Sequence, residues 1–484
     1  MPLVAVGVLA GAAAQSWFSN ASVGVGGRLP AVGSAWTRQL ALAFSPGARG
    51  ADGALAAVLQ LPVDAVGSLL HLAGASAALD ERLWLTAMLV GVTLSMGGLL
   101  LALGLESAAA AVGALVYALS PYVLAMSGLN LAYLAAMVLV PGLVAWVVLA
   151  ARAKRLSSGR LVWLVVAAMG LGLVAESPPL VLACGAALVG AVALVGWLDG
   201  RGGLLTALRR TAVGVGVLAV AGAFWAVPYG WELASTSMVS AAAQRRWGWA
   251  ADRSTLVNTL WLNSAWNWHD PALYPFAGDF HHFPLVLWRY AVPVVAFAVL
   301  GVAGLRARTS HDQQRLRLLV AAAAVALVVV VLATGTRAPG APLFGLVTAV
   351  PFGWLVEDPG RFLFVAGAAY AVLVAVLVDQ RGRGAAVAAA AASPAVAQSA
   401  PGRRLVPVGL ALALVAPAYP LVTGAVPARV GAVRVPAAVS CRRGLGLAGC
   451  VASGGQQRGG ASNDGGRRLT GRPAPPPEQG SLRR

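Results

Sequence analysis

The sequence predicts an all-α polytopic membrane protein with about eleven transmembrane helices and long extracytoplasmic loops. Of its 484 residues, 59% are hydrophobic and only 11% are charged, a composition far from that of a soluble domain. Apolar stretches close to the roughly 20 residues that cross a bilayer recur along the chain. Arginine and lysine concentrate in short loops between them. We place the spans at 2–14, 84–103, 107–126, 129–151, 161–176, 178–197, 211–233, 286–305, 318–334, 361–379 and 405–424.

The basic loops predict the orientation of the chain. Loops 152–160, 199–210, 306–317 and 380–404 contain fifteen basic residues, and such loops face the cytoplasm. Alternation of the eleven spans puts all four loops on one side. We therefore expect a multi-pass protein of the cell membrane, with a cytoplasmic N-terminus and an extracytoplasmic C-terminal tail. The net charge of +18 does not indicate nucleic-acid binding, because the arginines lie in these loops and the tail rather than on one polar face.

The remaining segments frame a membrane body that we assign to residues 1–379. Its first outer loop, 15–83, is amphipathic over 54–74, as an interfacial or re-entrant helix would be. Residues 380–404 read as a cytoplasmic linker before the last span. The tail 426–484 is rich in Gly, Arg, Pro and Ser, so it should be disordered. Its composition also fits GC-rich DNA translated out of frame, so we hypothesise a frameshift. Resequencing that finds the same tail in an intact frame would refute this hypothesis.

The second long outer loop, 234–285, is rich in tryptophan. Residues 225–288 contain eight of the fifteen tryptophans of the chain. Tryptophan rings concentrate at membrane interfaces, which is one explanation. However, several of them, including Trp266 and Trp268, lie well inside the loop. The alternative is a loop folded on the membrane surface, in which these rings stack on sugars while Arg245 and Arg246 meet a phosphate.

Three of the five histidines also fall in this loop, within the stretch 266–283, together with Asp270 and Asp279. A divalent metal could bind such groups, but their spacing matches no known ligand pattern. Ordinary solvated side chains are the competing interpretation. No motif in the sequence requires another cofactor, since nucleotide-binding and hydrolase signatures are absent.

Two further motifs place charged groups at outer turns. Glu176 interrupts a long apolar run at ESPP (176–179), where the prolines indicate a turn between two spans. It is either a structural turn residue or a contact for substrate. In LVEDPGRFLFV (355–365), Asp358 and Pro359 suit a helix start. The other interpretation is that Arg361, which enters the membrane beside two carboxylates, holds a phosphate.

Taken together, four motifs resemble the membrane part of the α-(1→3)-arabinofuranosyltransferase family. They are ALSPYVLAMSG (118–128), ESPP (176–179), AFWAVPYGWELASTS (223–237) and EDPGRF (357–362), in that order after a long first outer loop. The family belongs to the polytopic glycosyltransferases with the GT-C fold, which use lipid-phosphate-linked sugars. The resemblance covers about residues 1–435.

The resemblance implies transfer of arabinofuranose from a polyprenyl-phosphate donor to a cell-wall polysaccharide outside the membrane. It also implies inversion, with an aspartate of the first outer loop as general base. The corresponding stretch 19–36 has no acidic residue, so the base would be Asp52, Asp270 or Asp279. We expect Glu176, Arg245, Arg246, Trp266, Trp268 and Arg361 to bind substrate.

Two alternatives stay open. The enzyme could transfer another sugar, such as mannose, within the same GT-C class. The absence of an acidic residue from the stretch 19–36 instead favours an inactive scaffold, or a carrier of lipid or polysaccharide. A transporter usually has charged residues inside its spans, which are nearly free of charge here.

Overall fold

A computed structural model describes residues 2–15, 52–127, 131–235, 254–262, 310–350, 353–356 and 358–391. The chain divides into two compact units, Met1–Val433 and Arg434–Arg484. Every described residue belongs to the first unit. The predicted spans 286–305 and 405–424 and the predicted disordered tail lie outside the described residues.

All regular elements within the described ranges are helical, which confirms the all-α prediction for that part of the chain. The α-helices are α1 (Pro2–Gln15), α2 (Asp52–Leu72), α3 (Ala77–Ala102), α4 (Ser107–Ala118), α5 (Pro121–Ser127), α6 (Leu131–Arg152), α7 (Ser158–Val174), α8 (Pro178–Ser235), α9 (Leu256–Leu260), α10 (Ser310–Ala333), α11 (Ala341–Thr348) and α12 (Leu363–Ala391). Short 3₁₀ helices cover Gly353–Val356 and Pro359–Phe362.

Membrane character is supported by length and composition. Five stretches in the described ranges are long and apolar enough to cross a bilayer: Arg82–Ala102, Leu131–Arg152, Pro178–Trp231, Asp312–Ala333 and Pro359–Gln380. They coincide with the predicted spans that begin at 84, 129, 178, 318 and 361, and the third also contains the span predicted at 211–233. Shorter apolar helices correspond to the spans predicted at 107–126 and 161–176.

One predicted span is interrupted. The stretch 107–126 forms α4 and α5, with a break at Leu119 and Ser120. Pro121 follows the break because proline lacks the N–H that a continuing helix would use, whereas it is tolerated as the first residue of the next helix. The hydroxyl of Ser120 accepts a bond from the amide of Val123 at 3.5 Å, inside the first turn of α5.

The predicted loop 199–210 is wrong, because these residues are helical apart from one position. Gly200 adopts φ 77° and ψ −167°, a conformation essentially restricted to glycine. It divides α8 into a first arm (178–199) and a second arm (201–235). The arms turn back on each other, so that a β-carbon at Gly196 would meet Leu204 at 3.0 Å. A single backbone reversal therefore replaces the loop.

Helical structure also extends into two segments outside the predicted spans. The amphipathic segment predicted at 54–74 is helix α2, and the proposed linker from residue 380 begins as a continuation of α12 to Ala391. The alanine-rich sequence after Asp379 explains the extension, since alanine has the highest helix propensity. Whether α2 lies in the membrane interface stays a prediction.

Polar contacts gather the cytoplasmic loops of the predicted topology at one end of the bundle, here called the first end. Arg152 donates to the carbonyl of Ala102 at 2.9 Å and to the carboxylate of Asp199 at 3.1 Å. Asp379 accepts from the amide of Glu106 at 3.1 Å. It also forms a buried ion pair with Arg315. The ends of α3, α6 and the first arm of α8 thus meet the starts of α4 and α10.

The opposite, second end contains the turns that the topology puts outside. α1 runs antiparallel to α3, because Leu3 lies against Gly97 while Gly11 lies against Thr86. The described N-terminal residues therefore sit at the first end together with the basic loops, and the cytoplasmic location of that end stays a prediction. Helix α9 lies towards the second end, where the hydroxyl of Tyr370 donates to the carbonyl of Leu260 at 3.0 Å.

A continuous apolar core joins the helices between these ends. α4 approaches α12 closely, because a β-carbon at Gly113 would lie 2.9 Å from the carbonyl oxygen of Ala371. Close helix approach over small residues is typical of membrane proteins. Buried tyrosines satisfy their hydroxyls within this core, as Tyr117 does by donating to the carbonyl of Met137 at 3.1 Å.

Candidate functional site

The candidate site lies at the second end, where the turn between α7 and α8 meets the start of α12. Pro178 opens α8 immediately after Glu176 and Ser177, as the prolines of ESPP predicted. The 3₁₀ helix Pro359–Phe362 precedes α12 and brings Arg361 beside this turn. We call Glu176, Ser177, Asp358 and Arg361 the outer cluster.

Arg361 is held by partners from both segments. Its Nε donates to the carboxylate of Asp358 at 2.8 Å, and its Nη1 donates to the hydroxyl of Ser177 at 3.3 Å. One fifth of the Arg361 side chain is exposed, against 8% of that of Asp358. The guanidinium is therefore fixed in direction, on a side chain that remains partly exposed.

The predicted role of Asp358 as a helix cap is wrong in its chemistry, although its position is right. Asp358 directly precedes the 3₁₀ helix and Pro359 occupies its first position, but the carboxylate makes no capping bond. It pairs with Arg361 instead, because a charged guanidinium is a stronger partner than a neutral backbone amide. The sequence motif thus builds a charge pair at the helix start.

A buried tyrosine on α5 forms a hydrogen bond with the backbone of Arg361. The hydroxyl of Tyr122 on α5 donates to the carbonyl of Arg361 at 2.9 Å. The ring of Tyr122 stacks on Phe364 with 6.4 Å between centroids and 29° between planes. Since Tyr122 is completely buried, this contact ties the first turn of α12 to the broken span of α4 and α5.

Glu176 faces a different neighbour. Its Oε1 accepts a hydrogen bond of 2.5 Å from the side-chain amide of Gln60 on α2. The residue itself is exposed, whereas Ser177 is buried. Glu176 and Arg361 are therefore close in the fold, through Ser177, and α2 adds a third segment to the outer cluster.

The other predicted site residues divide into two groups. Asp52 is the first residue of α2, the helix that carries Gln60, and eight residues of helix correspond to about 12 Å. The remaining candidates lie outside the described residues; they are Arg245, Arg246, Trp266, Trp268, Asp270 and Asp279. Of the three predicted site residues within the described ranges, the structure brings Glu176 and Arg361 together.

Sequence reasoning missed the residues that position those two. Ser177 follows Glu176 in the sequence, but a neutral hydroxyl at this position does not by itself indicate a functional role. Tyr122 lies in the SPYVL segment, where the periodicity indicated only a span. Gln60 lies on an amphipathic helix without a recognisable motif. In contrast, the spacing of Asp358 and Arg361 at i and i+3 is a readable signal, since side chains three apart are neighbours in a helix.

Two carboxylates of the segment 15–83 are buried. Asp64 on α2 has no exposed surface, and Asp80 in the first turn of α3 is 4% exposed. Burial raises the pKa of Asp80 above its ordinary value, because desolvation disfavours the charged form. Acidic side chains at this end are thus not confined to solvated loops.

Three of the eight tryptophans of residues 225–288 lie within the described ranges, and they fit neither the interfacial nor the sugar-stacking interpretation fully. Trp225 is buried beneath α2 and donates from its ring nitrogen to the carbonyl of Ala168 at 2.9 Å. Trp261 is also buried, whereas Trp231 is 73% exposed. Two of these three rings are therefore packing residues. Within the described ranges, moreover, no group of three or more His, Cys, Asp or Glu residues could hold a metal ion.

Comparisons with models of protein families, with curated proteins and with solved structures find no match to this chain. The class defined by the fold is therefore a helical membrane protein with a charged cluster at one end of its bundle.

Proposed function

We propose that the protein is a membrane glycosyltransferase of the GT-C type, with about eleven spans and its second end outside the cell membrane. In this proposal it moves a sugar, arabinofuranose by the resemblance, from a polyprenyl-phosphate donor to a cell-wall polysaccharide. The observation that carries the proposal is the outer cluster. It orients the guanidinium of Arg361, a partly exposed side chain, at the end of the bundle opposite the basic loops.

The reaction requires three things of the protein. The acceptor hydroxyl must be oriented, its proton must be taken by a base, and the charge on the departing phosphate must be offset. Arg361 suits the third role because a planar guanidinium matches the oxygens of a phosphate. Asp358 and Ser177 act as positioning residues, since they hold Nε and Nη1 in place.

The base is proposed among Asp52, Asp270 and Asp279; Asp52 is the one within the described ranges, and α2 connects it to Gln60 beside the outer cluster. Each aspartate should be changed singly to asparagine and assayed for sugar transfer from lipid donor. We expect one substitution to abolish transfer while the protein still inserts and folds. Full activity in all three variants would exclude this assignment.

The role of Arg361 is tested with membranes supplied with labelled polyprenyl-phosphate arabinose or mannose. We expect Arg361→Gln to lower the transfer rate about 10²-fold, as loss of one charge-stabilising donor does. Arg361→Lys should lose less, because it keeps the charge and loses only the planar fork. Arg337→Gln is the matched control, because Arg337 is an exposed arginine at the same end, in the connection between α10 and α11.

The outcomes separate the alternatives. Transfer of mannose but not arabinose would replace the sugar and keep the class. Unchanged transfer by Arg361→Gln would exclude the phosphate role. If no labelled sugar is transferred by the wild-type protein, while it still binds the lipid donor, the carrier or scaffold replaces the enzyme.

A further inference from the structure

The first end contains a group of cations that converge on one short loop. Arg210, on the second arm of α8, donates from Nη2 to the carbonyl of Lys154 at 3.1 Å. Arg160, in the first turn of α7, reaches the carbonyl of Arg155 at 3.5 Å. Arg209 is exposed beside Arg210. We call these five residues, Lys154, Arg155, Arg160, Arg209 and Arg210, the loop cations.

The loop cations contact no carboxylate of the described part of the chain. Asp199, an acidic residue at the same end, accepts from Arg152 and from Gln314. Arg160 and Arg210 instead donate to backbone carbonyls, which leaves their positive charges uncompensated. Five like charges around a loop of a few residues repel one another, and an anion from outside the chain would relieve that repulsion.

Apolar surface continues from this cluster along the two neighbouring helices. Val162 and Val166 are 61% and 60% exposed on α7, two and six residues after Arg160, and they lie one above the other on one face of the helix. Val213 and Val220 are 50% and 81% exposed on the second arm of α8, beyond Arg210. These helices are held together further along by the bond from Trp225 to Ala168. The surface therefore has a cationic head region and an apolar stripe.

We propose that this surface binds an anionic glycerophospholipid of the bilayer. Its phosphodiester would sit among the loop cations, with hydrogen bonds from arginine to the phosphate oxygens. Its acyl chains would lie along the exposed valines of α7 and α8. Basic pockets between transmembrane helices recognise anionic headgroups in this way. The proposal is independent of the glycosyltransferase activity and of the identity of any sugar.

The positive-inside rule alone does not account for this arrangement of the loop cations. That rule requires basic residues on one side, but it does not require them to converge or to lie beside an exposed apolar stripe. Arg201 provides the contrast, since it is an exposed arginine of the same end, next to the reversal at Gly200. A specific site and a diffuse positive surface can therefore be separated by moving the same number of charges.

The test uses the full chain reconstituted in nanodiscs of phosphatidylcholine with or without phosphatidylglycerol. The two variants are R155Q/R209Q and the charge-matched control R201Q/R317Q, in which both arginines are exposed at the first end but lie outside the loop cations. We expect the wild-type protein to retain phosphatidylglycerol in native mass spectrometry and to melt at a higher temperature with it. R155Q/R209Q should bind it about thirty-fold more weakly, from the usual contribution of two surface cations, whereas the control should bind it as the wild type does.

Three results would overturn the proposal. Equal loss in both variants would mean a diffuse electrostatic attraction. Equal stabilisation by phosphatidylcholine would mean that the headgroup charge is irrelevant. Equal stabilisation by inorganic phosphate in detergent would point to a soluble anion rather than a lipid. The lipid site is supported if only R155Q/R209Q loses binding of phosphatidylglycerol and if binding by the wild-type protein weakens as salt is raised.

Discussion

Arg315 and Asp379 form a charge pair at the first end that is almost completely removed from water. Their side chains are 8% and 0% exposed, and the same carboxylate accepts from the amide of Glu106. Charges this deep are tolerated because each satisfies the other, whereas one left alone would bear the full cost of desolvation. The pair links α10, α12 and α4, so we expect it to stabilise the arrangement of these three helices.

We predict that Arg315→Gln destabilises the protein by about 3–5 kcal/mol, because Asp379 would remain as a buried charge. Unfolding in a mixed detergent, followed by tryptophan fluorescence, measures this change. The double substitution Arg315→Leu with Asp379→Leu should recover most of the loss, since it removes both charges together.

Arg152→Gln supplies the comparison, because the Arg152–Asp199 pair is 34% and 25% exposed. Its loss should alter stability by about 1 kcal/mol or less. Equal effects of Arg315→Gln and Arg152→Gln would contradict the importance of burial at the first pair.

At the scale of elements, the hairpin of α8 depends on the backbone of one residue. Gly200 has the positive φ that reverses the chain, while Gly202 lies in the helix two residues later. An added β-carbon would meet no neighbour at either position. The two glycines therefore differ in backbone conformation and not in the space around them.

We predict opposite effects of alanine at these positions. Gly200→Ala should destabilise the protein by about 1–3 kcal/mol, because alanine is strained in that conformation. Gly202→Ala should stabilise the helix by up to about 1 kcal/mol, since glycine is a poor helix former. Thermal unfolding of both variants in the same detergent measures the difference. Equal shifts of either sign would be inconsistent with a reversal at Gly200.

The sequence could predict these helices better than their connections. Hydropathy located the long apolar stretches, because a window of about 20 residues averages over details. It could not distinguish a loop at 199–210 from a helical hairpin, since a polar helix and a polar loop have the same composition. Pro121 is a local signal for the break at Ser120. The apolar residues on both sides nevertheless led to the prediction of one continuous span.

The site was predictable to the extent that charge marks it. Glu176 and Arg361 were chosen because charged side chains near membrane depth are rare. Their neighbours Ser177 and Gln60 are neutral, and only the packing of α2 against the α7–α8 turn brings them there. Partner choice at Asp358 likewise depended on where the Arg361 side chain points, which spacing alone left open.

At the scale of the whole molecule, the described helices divide their loops between two ends. The first end contains the loop cations and the second contains the outer cluster. A membrane between them would make the two ends accessible to different compartments. Sidedness can therefore be measured without knowledge of the activity.

We predict that cysteines at the two ends label from opposite sides. In a background with Cys184→Ala, Cys441→Ser and Cys450→Ser, exposed Ala73 and Thr336 at the second end are changed singly to cysteine. An impermeant maleimide should label both in intact cells. Cysteine at Ser157 or Arg201 should label only after the membrane is opened.

Labelling of Ser157→Cys in intact cells would reverse the orientation and remove the basis for an outer catalytic site. Labelling of both ends from one side would contradict a spanning bundle. A cysteine in place of Ala168, which is buried, serves as the unreactive control.

The bond between Glu106 and Asp379 has a consequence for biosynthesis. The two partners are 273 residues apart, so the amide that opens α4 leaves the ribosome long before its carboxylate. At about 5–20 residues per second, the delay is roughly 15–55 s. During that interval the amide needs another partner, and at the end of the bundle water can supply it until α12 is added.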